Sequence, residues 1–163
     1  MVNLDALAAQ LTSNKIAFGT ENPNNAQLAQ ELGRAIENVE SSGMGPVGVV
    51  VLEATPERVG DLRDIAQDLQ NTTQLATVVV RTPRSTAAVS DSLTRAQVER
   101  GQFALISQPD YPAGIEAFAA EAQAGPSAQC SWGLVCALAV ALIALVAAGT
   151  WWSVRSIDRH VHV

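Results

Sequence analysis

Neither cysteine nor histidine occurs before position 130. The two cysteines are Cys130 and Cys136, and the two histidines are His160 and His162. Everything upstream is therefore without a Cys or His nucleophile, a His general base or a Cys/His zinc site. Basic residues are scarce as well. The chain has 16 Asp and Glu against 10 Lys and Arg, and Asp158, Arg155 and Arg159 fall at its end. That leaves 15 acids and 8 bases in the upstream part, a charge of about −7. Such a balance disfavours nucleic acid and anionic lipid as partners. The start lacks a basic and then apolar leader, since Met1 is followed by Asn3 and Asp5. No signal peptide is predicted there.

One feature stands out against these absences. Residues Trp132 to Trp152 form an apolar run without a charge. At about 1.5 Å per residue a helix of this length reaches roughly 30 Å, the thickness of a hydrocarbon core. Trp132 marks one end and Trp151-Trp152 the other, as interfacial rings do. The run predicts a single transmembrane helix over 132–152. Arg155 and Arg159 follow it, whereas no Lys or Arg lies between Arg100 and Trp132. The positive-inside rule places the tail at 153–163 in the cytoplasm and the N-terminal part outside the plasma membrane. The absence of a leader supports the alternative, a cytosolic adaptor or scaffold domain held by a C-terminal anchor.

Residues 1–123 are long enough for one domain with its own core. Leu4, Leu7, Ala8 and Leu11 have helical spacing, and Ile16 to Phe18 suit a short strand. Asn22-Pro23 reads as the start of a helix running to about Ser41. Val47 to Leu52 and Leu75 to Val80 are continuous apolar runs of the kind found in buried parallel strands. Thr55-Pro56 caps the helix between them, with Val59, Leu62, Ile65, Ala66 and Leu69 inward, while Gly60 permits close packing. Thr82 to Arg100 is polar and helical in character, with a thin stripe of Val89, Leu93 and Ala96. Asp91 and Arg95, and Arg95 and Glu99, are i,i+4 pairs. Phe103 to Ser107 reads as a further strand. Asp110 and Pro112 open a last helix with Ile115, Phe118, Ala119 and Ala122 inward, and 124–131 is a small-residue linker. The alternation predicts an α/β fold: three layers, doubly wound, with a mostly parallel sheet of about four strands.

Chemistry is hard to place on this frame. The carboxyl ends of the strands, where open α/β sheets bind ligands, carry Glu53-Ala54-Thr55, Arg81-Thr82-Pro83 and Ser107-Gln108. None precedes a glycine-rich phosphate loop, and Gly43-Met44-Gly45 comes before a strand. Glu53 and Asp110 are the remaining candidates for a divalent cation. No metal or other cofactor is expected, and the domain is expected not to be an enzyme.

The Gly48 to Leu52 strand, the Thr77 to Pro83 strand and turn, and the Trp132 to Trp152 span are similar to those of small single-pass septal membrane proteins of corynebacteria and mycobacteria. The resemblance implies an extracytoplasmic receiver-like domain that activates a secreted NlpC-type peptidoglycan endopeptidase during cell separation. It implies no phosphotransfer, because the strand ends lack an acidic cluster with a lysine. It also implies that a helical insertion far from the membrane touches the enzyme, and Thr82 to Arg100 match it in position and character. The expected contact residues are Arg84, Val89, Asp91, Leu93, Arg95, Glu99 and Arg100. Oligomeric state is not fixed by the sequence.

Overall fold

The computed structural model describes residues 2–55 and 58–125. The expected span at 132–152, the tail and residues 126–131 of the linker lie outside them, as does Pro56. Nine elements follow in chain order: α1 (Leu4–Asn14), β1 (Ile16–Phe18), α2 (Asn25–Ser41), β2 (Val47–Val51), α3 (Val59–Thr73), β3 (Thr77–Arg81), β4 (Thr86–Ser90), α4 (Arg95–Ser107) and α5 (Tyr111–Gln123). Among the described residues no helix is long and apolar enough to cross a membrane.

The valine runs make the centre of the sheet, because β-branched side chains suit a pleated surface buried on both faces. Every residue of β2 and β3 is buried. The strand order is β1-β2-β3-β4, with β1, β2 and β3 parallel and β4 antiparallel to β3. Period-2 alternation divides the core in two. Val50, Val78 and Val80 meet Leu7 and Leu11 of α1 and Leu62, Ala66 and Leu69 of α3. Val47, Val49, Val51 and Val79 meet Leu32, Ile36 and Val39 of α2, Val98 and Leu105 of α4, and Ile115 and Phe118 of α5. The described domain thus has three layers, with α1 and α3 on one face of the sheet and α2, α4 and α5 on the other.

This arrangement is not doubly wound in the usual sense. A doubly wound sheet reverses its strand order to place helices on both faces, as in the 2-1-3-4-5 order of receiver domains. Here β1, β2 and β3 follow one another in one direction. The crossover through α2 nevertheless passes over one face and the crossover through α3 over the other. Two parallel crossovers that step the same way on opposite faces have opposite hands. One of them is therefore left-handed, as is roughly one such connection in fifty.

Four local expectations also change. The helix after Asn22 begins at Asn25, because the Asn22 side chain first closes a turn by accepting from Asn24 N–H at 3.0 Å. The stretch 103–107 is the end of α4, not a strand, and the fourth strand is β4, within the segment expected to be a helical insertion. Among the described residues nothing lies within 4 Å of a Cβ built on Gly60, so no close packing there requires a glycine. The opening of α5 is as expected: Asp110 caps it by accepting from Ala113 N–H at 2.9 Å, with Pro112 in the first turn.

Candidate protein-interaction surface

The segment after β3 turns back on itself at Thr82. Its hydroxyl accepts from Ser85 N–H and its own N–H donates to Ser85 O, closing the hairpin into β4. At the other end of β4, Thr94 starts α4 with a capping box: its hydroxyl accepts from Gln97 N–H, while the Gln97 amide oxygen accepts from Thr94 N–H at 2.9 Å. The helix then lies against α5 at close range. A Cβ on Gly101 would stand 2.6 Å from Phe118 Cδ2 and 3.0 Å from Phe118 O, and one on Gly114 would stand 3.2 Å from Leu105 O. Both positions require glycine for this crossing.

Arg81 fixes the same pair of helices to the sheet. Its side chain is buried at the carboxyl end of β3 and donates to the carbonyls of Leu105 and Gln108, where α4 ends. Its guanidinium lies 4.5 Å from the Tyr111 ring centroid, a cation–π contact. Nε has no partner among the described residues.

On the outer side of the helix pair Phe103 is 75 % exposed and Ile106 37 %. Phe103 borders a shallow groove with Ala96 and Ala104, rimmed by Glu99 and Arg100 of α4 and Glu121 of α5. Arg95 Nε donates to Glu99 at 2.7 Å, and this bond raises the Arg95 pKa above its ordinary value. Arg100 donates to Ala124 O at 2.9 Å, near the last described residues.

The seven expected contact residues fall into different places. Arg95, Glu99 and Arg100 gather on α4. Arg84 is exposed in the hairpin turn, at the opposite end of β4 from Arg95. Five strand residues at about 3.4 Å each separate these two by roughly 17 Å of strand, so they do not form one patch. Asp91 is exposed and accepts from Gln70 Nε2 at 3.0 Å. Leu93 packs, half-buried, against the core. Val89 is corrected from contact residue to core residue: it is 5 % exposed and points into the α1/α3 layer. Phe103, at the centre of the groove, was not among the expected residues. Its apolar neighbours Ala104, Leu105 and Ile106 make the stretch read as a strand, which hides its outward position on a helix. Among the described residues no group of three His, Cys, Asp or Glu side chains could hold a metal ion, and Glu53 and Asp110 are both exposed.

The family model described as membrane protein Rv1476 matches residues 1–162, almost the whole sequence. The chain belongs to the membrane protein Rv1476 family. Membership makes it a protein of an actinobacterial membrane family. The fold also has a solved counterpart in the N-terminal domain of the cg2496 protein from Corynebacterium glutamicum, determined by solution NMR. The two share 18 % identity with a TM-score of 0.51, over 72 % of this chain and 84 % of that one. At this identity the likeness extends to the fold alone. No curated protein matches the chain.

Proposed function

We propose that the protein is a single-pass, non-catalytic regulator of cell separation in the plasma membrane. Its N-terminal domain lies outside, and binds and activates a secreted NlpC-type peptidoglycan endopeptidase. The resemblance described above supplies the partner, and membership of a membrane family agrees with the apolar run at 132–152. The observation that carries the binding reading is Phe103, an aromatic ring left 75 % exposed in a groove with charges of both signs at its rim. Interface hot spots combine such rings with arginines and a polar rim. Burying Phe103 against the enzyme would contribute about 2 kcal/mol. Activation follows if the domain binds an active form of the endopeptidase in preference to an inactive one.

The test is Phe103→Ala in the full chain. The ring is exposed, so circular dichroism and thermal unfolding should match the parent. Affinity for the endopeptidase should fall about 30-fold, the equivalent of roughly 2 kcal/mol, and activation with it. A folded variant that binds and activates like the parent would overturn the reading. Topology is tested apart from this. Alkaline phosphatase fused before Trp132 should be active, and fused after Val163 inactive; the reverse pattern favours the cytosolic adaptor.

A further inference from the structure

The groove beside Phe103 carries charges of both signs, but they are not equally free. Arg95 Nε donates to Glu99 at 2.7 Å, so these two neutralise each other. Arg100 is half-buried and donates to Ala124 O at 2.9 Å, at the carboxyl end of α5, where the helix dipole is negative. Its cation therefore has a partner of the right sign. Glu121 has none. It lines the same groove, is exposed and makes no ion pair among the described residues. It also stands in the last turn of α5, which holds no basic residue. A carboxylate there faces the negative end of its own helix, an unfavourable placement. The other carboxylate of α5, Glu116, accepts from Asn38 Nδ2 at 2.9 Å.

The shape of the groove adds a second requirement. Ala96 and Ala104 present only methyl groups beside the Phe103 ring, which leaves room there for a large side chain.

We infer that the partner segment seated in this groove carries a large apolar side chain with a lysine or arginine beside it. The apolar group packs on Phe103 and the methyls of Ala96 and Ala104, and the cation meets Glu121. Glu121 is then the specificity-determining residue of the surface. The inference rests on the proposed use of the groove and adds the chemistry of what enters it. The excess of acids upstream of the apolar run, 15 against 8 bases, acts in the same direction, since its field draws basic partners. An acidic segment would set its carboxylates against Glu121 and gain little from Arg95, which is already paired.

The test measures binding of the full chain to the endopeptidase with Glu121→Gln and Glu121→Arg. Affinity should fall about threefold and about tenfold, mostly through slower association, and both losses should shrink as salt is raised from about 0.05 to about 0.5 M. Neither variant should unfold earlier than the parent, because loss of the carboxylate relieves the helix end. Weaker binding at an equal or higher Tm separates recognition from a structural role. A second probe does not need the enzyme. In detergent micelles the isotope-labelled full chain is titrated with a capped hexapeptide carrying Leu, Phe and two Lys, and with its counterpart carrying two Glu. The Lys peptide should shift the Phe103, Ala104 and Glu121 signals at about fivefold lower concentration, and Glu121→Arg should reverse the preference. The inference is overturned if the two peptides act alike. It is also overturned if both Glu121 variants bind the endopeptidase as the parent does while Phe103→Ala loses it, and the proposed function then stands. If Phe103→Ala also binds like the parent, the proposed function falls and the two peptides decide the inference.

Discussion

The two edges of the sheet end differently. At β1 the backbone of Phe18 faces outward and meets the side chain of Gln10: Phe18 N–H donates to Gln10 Oε1 at 3.0 Å, and Gln10 Nε2 donates to Phe18 O at 3.4 Å. One amide thus imitates a neighbouring strand and occupies both groups. At β4 the corresponding glutamine, Gln102, reaches only the Ala88 carbonyl. The difference is one of supply. The edge of β1 is three residues long and a single side chain closes most of it, whereas β4 has five residues and three outward positions. The short edge is closed by one side chain; the longer one is covered at its middle, where Ala88 is 1 % exposed, and is partly exposed only at Thr86 and Ser90.

Four substitutions should break or sharpen this contrast. The largest effect is expected from Arg81→Ala. It strands the carbonyls of Leu105 and Gln108 and removes the Tyr111 contact, and buried polar groups left unpaired cost about 1–3 kcal/mol each. Denaturant unfolding should show a loss of about 3 kcal/mol or more. Exchange should quicken along α4 before it does at β1. Gly101→Ala comes next. Its methyl would meet Phe118 at 2.6 Å and force α4 from α5, for about 2 kcal/mol. Gly60→Ala, with open space around it, should be neutral or gain up to about 1 kcal/mol, which separates a packing effect from helix propensity. The smallest loss of stability belongs to Gln10→Ala, about 1 kcal/mol. Exchange of the Phe18 amide should rise about tenfold. If Phe18 in the parent exchanges as fast as Thr86 and Ser90 do, the two edges are equally open and the contrast fails.

Much of the architecture was legible because it rests on periodicity. The Val47 and Thr77 strands, Leu62, Ala66 and Leu69 on the inward face of α3, and the Asp110 start of α5 all follow from spacing and capping chemistry. The chain between Thr82 and Ser107 did not yield, for two physical reasons. The sequence Thr86-Ala87-Ala88-Val89-Ser90 has little β propensity of its own and is held by pairing with β3. In α4 the inward positions are Val98, Gly101 and Leu105, so one third of the stripe is a glycine that a hydropathy pattern cannot count. The same gap concealed the candidate surface. Arg95, Glu99 and Arg100 were recognised by charge, Phe103 was assigned to a strand, and Val89 was placed outside although the sheet buries it. Arg81, at the end of a valine run, gave no sign that its charge would be buried under α4 and α5.

The sequential strand order has a consequence for how the molecule assembles. Each strand pairs with the strand that precedes it in the chain. No strand waits for a distant segment to arrive before its partner can dock: each parallel pairing closes a loop of about one helix and its turns, and β3 with β4 closes only a tight hairpin. Topologies with such near-neighbour contacts fold faster than those built from remote ones. The sheet can grow from β1 toward β4 as the polypeptide emerges, each crossover covering the face it passes.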